Sequence, residues 1–290
     1  MNLKFISGLV CCCLLAGCVG GLDVNKAPIN IGFRPVIGHD TRAEESVPFP
    51  EDRSFRLWAQ QSLDGAMCIE DEVISYNNGW YSSAAWPESA LWFEACSPED
   101  IPVQYSMTKG LQLKSFDCTA GDVDILFARE VADHDADSMI TLRFDHILSR
   151  VEFRMFHSLS EEVSVRLKRI EVKGLALKGD YNVQESHQWT VDDMNCSYVA
   201  YDSGDTDGIV IQLGKAQYIG DDFYTIPQVC FASAEVSYEV SYGNLNWVPQ
   251  TETITSLDTI WEQSKHYTYT LNLRTDKLTH TTGISSWGNR

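Results

Sequence analysis

The sequence predicts an all-β protein built of sandwiches. Apolar residues recur at every second position through most of the chain, sustained helical periodicity is scarce, and Asn/Asp/Gly turn signals punctuate the alternating runs. Successive strand side chains point to opposite faces, so each run buries one face and wets the other. Antiparallel sheets with one solvated face carry this pattern. The 290 residues suit two domains of ordinary size, and a hydrophobic content of 44% permits packed interiors.

In chain order, the first segment is an export signal. Lys4 supplies a positive n-region, and Phe5 to Leu15 is apolar but too short to span a bilayer. Leu15-Ala16-Gly17-Cys18 offers small residues before a cut and a thiol directly after it. It resembles a bacterial lipobox, which implies a signal peptide over residues 1–17 and lipidation at Cys18. No later window approaches 18 consecutive apolar residues. Ile29, Ile31 and Phe33 then alternate with Asn30, Gly32 and Arg34 as a short strand. His39 to Ser46 follows, polar and turn-like, hence accessible to proteases.

Tyr76, Trp80, Tyr81, Trp86 and Trp92 form a dense aromatic cluster around a turn at Asn77-Asn78-Gly79. Such residues pack cores, and they also line glycan and protein interfaces. Trp80, Trp86 and Trp92 are the candidate ligand-binding aromatics. Val131 to Ser138, acidic and polar, reads as an interdomain linker or an ordinary hairpin loop. Further alternating runs are Ile140/Leu142/Phe144, Val151/Phe153/Met155, Ile209/Ile211/Leu213, Val236/Tyr238/Val240/Tyr242 and Tyr267/Tyr269/Leu271/Leu273. The apolar phase is even up to Leu148 and odd from Val151, which predicts a bulge or bend near Ser149. Ser256 to Ser264 reads as a short helix or turn.

A net charge of −19 argues against nucleic-acid and anionic-lipid partners, which need Lys/Arg patches. Cys11, Cys12 and Cys13 belong to the leader. Cys68, Cys96, Cys118, Cys196 and Cys230 match no zinc motif, and an odd number leaves one unpaired in a monomer. No catalytic motif is present, so no enzyme activity, catalytic residue, cofactor or metal is expected. His146 lies on the apolar phase of its strand, as a hydrogen-bonded core histidine would. Asp202, Asp205 and Asp207 could offer oxygens to calcium, but their spacing departs from the EF-hand loop, and an Asp/Gly-rich turn is the simpler reading.

Several stretches carry a family resemblance. They are ISYNNGWYSSAAWP (Ile74 to Pro87), LWFEACSP (Leu91 to Pro98), DILFA (Asp124 to Ala128) and FDHILSRVEF (Phe144 to Phe153). FYTIPQ (Phe223 to Gln228), WEQSKHYTYTLNL (Trp261 to Leu273) and GISSW (Gly283 to Trp287) follow. In this order, behind a lipobox, they resemble the fimbrillin-like proteins of Bacteroidales, subunits of type V pili.

The resemblance implies two tandem transthyretin-like β-sandwich domains. It also implies lipoprotein transit to the outer membrane, then cleavage after an arginine by a trypsin-like protease. The loss of the first strand would open a groove for a strand from a neighbouring subunit. Arg42 within Thr41-Arg42-Ala43 is the expected cut, with Arg34 and Arg53 as fallbacks. The expected division is therefore a leader over 1–17, a propeptide with an excisable strand over 18–42, an N-terminal sandwich over 43–138 and a C-terminal sandwich over 139–290. The segment Lys265 to Arg290 is the candidate donor. Expected partners are other pilus subunits, the processing protease and, through Cys18, outer-membrane lipid. The expected location is the cell surface, in the outer membrane or the fimbrium, and the expected role is cell adhesion. The alternative is a monomeric surface lipoprotein that binds glycan or host protein through the aromatic cluster.

Overall fold

The computed structural model describes residues 30–38, 46–61, 65–133, 139–184, 188–230, 232–243, 246–257 and 259–287. Cys18, Arg42, His134 and His187 lie outside them, as does most of the Val131 to Ser138 segment. The described residues form 23 strands and no helix. The N-terminal ones are β1 (Asn30–Ile37), β2 (Val47–Pro48), β3 (Ser54–Gln61), β4 (Met67–Ser75), β5 (Trp80–Ala85), β6 (Leu91–Ser97), β7 (Val103–Ser106), β8 (Gly110–Asp117), β9 (Leu126–Ala132) and β10 (Ile140–His146). Next come β11 (Ser149–His157), β12 (Val163–Leu175), β13 (Lys178–Asn182), β14 (Trp189–Val191), β15 (Cys196–Asp202), β16 (Ile209–Ile211) and β17 (Gln217–Thr225). The last are β18 (Gln228–Cys230), β19 (Ser233–Tyr242), β20 (Val248–Ile254), β21 (Thr259–Trp261), β22 (Lys265–Leu273) and β23 (Leu278–Ser286).

The N-terminal sandwich is one eight-stranded sheet in the order β2-β1-β10-β9-β6-β3-β4, with β5 added beside β1. β1 runs parallel to β10; the other pairings in this sheet are antiparallel. Phe33, Phe55, Leu57, Phe93, Leu142 and Phe144 fill its interior. The outer face is covered in part by a four-stranded sheet, β14-β13-β8-β7. There Trp58 stacks on Tyr105 at 5.9 Å, and Phe127 meets Tyr181 edge-on at 5.1 Å.

The C-terminal sandwich packs β17-β11-β22-β23 against a sheet of β15, β16, β12, β19 and β20. Val151, Phe153, Tyr267 and Tyr269 from the first sheet and Val165, Leu167, Val236 and Val240 from the second share one buried cluster. The all-β, two-sandwich architecture is therefore the one the alternation predicts. Leu213 and Tyr242 are the exceptions to its inward faces, for both are exposed at strand margins.

The phase slip marks a change of sheet. β10 ends at His146, the chain bends at Leu148, and β11 starts at Ser149 in the other sandwich. Ile147 and Leu148 are fully buried between the two, so both phases stay apolar across the break. The division expected at Ser138 falls between β9 and β10, which are hydrogen-bonded neighbours in the first sheet. Of the short helix or turn expected over Ser256 to Ser264, the described residues hold a turn at Gln263-Ser264 before β22; Thr259–Trp261 is the strand β21, paired with β18. Trp261, buried with its Nε1–H donated to Tyr269 Oη at 2.8 Å, holds that segment extended. Cys68, Cys96, Cys118 and Cys196 are free.

Glu94 ties the first sheet to the second. Its carboxylate is buried beneath the β7–β8 turn and accepts the Leu111 N–H at 2.6 Å. Arg129 stands 3.6 Å away. Gly110 adopts φ +67°, and a Cβ there would lie 2.4 Å from Glu94 Oε2. Burial pushes the Glu94 carboxyl above its ordinary range, against the opposing pull of the Leu111 N–H, Arg129 and Gln184. A carboxyl raised in the folded state binds more protons there than when unfolded, so its contribution to stability declines as pH rises through that range. Glu94→Gln cannot titrate. In urea denaturation series, its stability relative to wild type is expected to improve from pH 4 to pH 7; a flat difference would contradict this assignment.

Candidate functional site

β1 is the element whose chemistry is most unusual for its place. One edge pairs with β10 over Phe33–Ile37; the other pairs with β5 over Asn30–Phe33 and with β2 at Val36 and Ile37. Ile31, Phe33 and Pro35 point inward and are buried, while Asn30 and Arg34 are exposed. Phe33 sits edge-on to Phe55 at 6.3 Å and to Phe93 at 5.7 Å. Phe49, just after β2, closes the same cluster against Trp80 at 5.5 Å and Phe144 at 5.0 Å. The Pro35 carbonyl accepts the Phe49 N–H, and the Gly38 N–H donates to the Phe144 carbonyl at 2.8 Å. A strand so placed is core, yet residues 39–45 are its one covalent link to β2 and the rest of the sandwich.

β5 is held less firmly. Its ladder partner is β1, not β4, so Asn77-Asn78-Gly79 turns the chain between strands that share no ladder. Asn78 and Gly79 take φ of 54° and 138° there. Across the gap, the Glu72 carboxylate of β4 accepts the Ser82 hydroxyl and, at 2.7 Å, the Ser83 N–H.

A second constellation joins the sandwiches. His146 Nδ1 lies 2.8 Å from Asp124 Oδ1. The His146 ring stacks on Trp287 at 4.1 Å, and the other neighbour of Trp287 is Tyr224, stacked at 5.1 Å. Ser264 donates its hydroxyl to the His146 carbonyl at 2.6 Å and accepts the Trp287 N–H at 3.1 Å.

The fimbrillin-like family profile matches residues 41–287. The chain belongs to the fimbrillin-like family. No curated protein sequence matches it. In fold, this fimbrillin-like chain is similar to a fimbrial protein from Bacteroides vulgatus, with a TM-score of 0.66 at 13% identity over 89% of this chain and 99% of that one. It is also similar to a candidate cell adhesion protein from Bacteroides ovatus, with a TM-score of 0.56 at 14% identity over 91% and 100% of the two chains. A third, from Parabacteroides distasonis, gives 0.57 at 8% identity over 90% and 97%.

Five of the motifs that carry the resemblance meet at the junction. DILFA supplies Asp124, FDHILSRVEF supplies His146, FYTIPQ supplies Tyr224, WEQSKHYTYTLNL supplies Ser264 and GISSW supplies Trp287. The fimbrillin-like aromatic cluster, by contrast, does not assemble into one surface. Trp80 is 7% exposed and belongs to the core. Trp86 is half-buried, edge-on to Phe93 at 5.9 Å. Trp92, 38% exposed, faces outward beside its cross-strand neighbour Val131.

The Asp202 loop is held by cations. Asp202 accepts the Gly204 N–H at 2.8 Å and pairs with Arg169, while Asp207 pairs with Arg166 at 3.0 Å. The Gly204 hydrogen bond first, and Arg169 second, hold the Asp202 carboxyl below its usual range. Among the described residues, Glu152, Asp222 and His266 also cluster closely enough for a metal. Arg154 and Arg150 already take the two carboxylates, which leaves little negative charge for a cation.

Burial separates the three tryptophans energetically. Trp80→Ala is expected to cost about 3–5 kcal/mol in chemical denaturation. Trp92→Ala is expected to cost about 1 kcal/mol or less. Equal losses would contradict this division.

Proposed function

We propose that this fimbrillin-like chain is a structural subunit or accessory tip component of a type V pilus that serves cell adhesion. It is exported as a lipoprotein on Cys18, trimmed after Arg42 and assembled by strand exchange. The observation that carries the reading is β1. Its Ile31, Phe33 and Pro35 are buried in the N-terminal core, yet its one link to β2 runs through residues 39–45. Arg42 stands within that connection. A cut there leaves β1 attached by noncovalent contacts alone. Departure of β1 exposes an apolar groove and unpaired backbone groups on β10 and β5, which a strand from a neighbour can satisfy.

The fallback arginines fit less well. Arg34 lies inside a paired strand, where a protease cannot thread the backbone. Arg53 follows Phe49, so a cut there would take a core ring out with the propeptide. On the donor side, β22 is an implausible strand to release. Tyr267, Tyr269, Leu271 and Leu273 are at most 3% exposed, and β22 is paired on both edges. β23 is the edge strand and the part of Lys265 to Arg290 that can leave. Our reading puts the division between sandwiches at Ile147–Leu148, supported by the passage of the chain there from β10 to β11. The adhesive alternative retains Trp92 with Val131 as its exposed apolar pair.

Limited treatment of the lipid-free precursor with a trypsin-like protease is expected to give a chain that starts at Ala43, read by N-terminal sequencing. Detergent-resistant ladders should then appear on unheated gels. Arg42→Ala should remain monomeric. A chain cut at Arg42 that stays monomeric would rule out assembly by exchange of its own strands.

A further inference from the structure

A groove that accepts a strand must also fix its register, because a slip of one residue turns every inward side chain outward. β1 contains a feature suited to that task. Gly32 stands directly opposite Tyr81 of β5. On its other side Phe33 pairs with Ile140, which puts Met139 beside Gly32. A Cβ at position 32 would lie 2.7 Å from Met139 Sδ and 3.1 Å from Tyr81 Cε1. The far edge of the Tyr81 ring lies close over Gly79, where a Cβ would meet its Cε2 at 2.5 Å. Tyr81 is 50% exposed, so its ring is not core filling. It lies over the gap left by a missing side chain, the arrangement by which an aromatic shields a strand glycine and pins its register. A β-branched residue at position 32 would have to displace both covers.

We propose that Tyr81 and Met139 form a register clamp that selects a glycine in the strand filling the groove, and that this glycine is Gly283 from a second copy of the chain. This rests on the strand-exchange reading above. Gly283 is unexplained by its own fold. Among the described glycines, every other one has a left-handed φ or a neighbour within 3 Å of where its Cβ would go. Gly283 has neither; a Cβ there would meet Thr268 at 3.9 Å, an ordinary contact. Glycine inside a strand weakens it, so its presence calls for a reason outside the monomer. Its surroundings fit a segment made to go elsewhere. Residues 281–285 of β23 are exposed on both faces, and Ile284 is 61% exposed. Laid on β1 with the same polarity, Gly283 falls on Gly32, Thr282 on Ile31, Ile284 on Phe33 and Ser286 on Pro35. The glycine enters the clamp, and Ile284 takes the deepest inward position.

The test uses the lipid-free precursor, processed at Arg42 and read on unheated gels, with the melting temperature of the unprocessed monomer as a second readout. Gly283→Val is expected to leave the monomer's melting temperature unchanged or slightly raised while ladder yield falls about tenfold, because the slot admits no β-branched side chain. Adding Tyr81→Ala and Met139→Ala together to Gly283→Val should restore most of the ladder, and the Tyr81→Ala/Met139→Ala variant without Gly283→Val should assemble. Normal ladders from Gly283→Val would overturn the clamp and leave strand exchange standing. So would a triple variant that stays defective. A lowered melting temperature for Gly283→Val would show that the glycine serves its own fold, which also overturns it. If the wild-type chain itself never ladders after the cut, strand exchange and the clamp fall together.

Discussion

The N-terminal sandwich depends on one insertion, that of Phe33 between Phe55 and Phe93. The ring contacts both at near-perpendicular geometry, and through Phe55 it is coupled to Phe49, Trp80 and Phe144. These six rings supply much of the interior, yet they come from β1, β3, β5, β6, β10 and the segment after β2. Phe33 alone among them lies on the far side of the 39–45 connection. Removing a buried aromatic side chain usually costs about 3–5 kcal/mol, a large share of a domain's net stability. Removing the whole strand also strips a ladder from β10 and another from β5. What remains has its strands in place but an open, apolar cleft.

That cleft need not collapse. β5 is anchored independently of β1, through the Glu72 carboxylate that bridges β4 to Ser82 and Ser83. β10 is held by β9 on its other edge and leads into the buried Ile147–Leu148 step. The opposite end of the molecule is tied down at the junction, where His146 is fixed between Asp124 and the Trp287 ring. Apolar packing continues from the second sheet into the C-terminal sandwich, since Leu111, Leu113, Phe127 and Tyr181 share a cluster with Val151 and Phe223. The two sandwiches therefore share a continuous buried cluster, with β23 at the edge of its sheet.

The alternation of apolar residues made the strands legible, because burial on one face imposes period two whatever the partner. It says nothing about which strand pairs with which. The parallel β1–β10 contact joins residues more than a hundred positions apart and leaves no local trace. The break at Ile147–Leu148 was visible only as a change of phase; that it marks a change of sheet depends on packing from both sides. The aromatic cluster is ambiguous in the same way. Trp80 and Trp92 look alike in sequence, and the facing of their strands decides that one is core and the other surface. Thr259, Ile260 and Trp261 hold no period that distinguishes a turn from a three-residue strand. The Trp261–Tyr269 hydrogen bond, a tertiary contact, makes the choice. Of the candidate site, the alternating β1 is legible in the sequence, whereas the glycine slot under Tyr81 and Met139 depends on tertiary packing.

In the proposed assembly, the relative hold on the first and last strands would decide the direction of exchange. At home β23 has one ladder, to β22, plus the stack of Trp287 on His146 and Tyr224. While β1 is in place there is no vacancy that offers more, so the monomer keeps both strands. Once β1 has gone, the cleft offers two ladders and an apolar interior to Ile284, which at home is exposed. A strand moving from one ladder and solvent to two ladders and burial gains hydrogen-bonded neighbours and apolar contact together. The proteolytic cut then needs to supply no energy to assembly. In the proposed scheme it would remove the better-fitting occupant, Phe33 being larger than Ile284, and so would convert a folded monomer into one whose lowest state includes a neighbour.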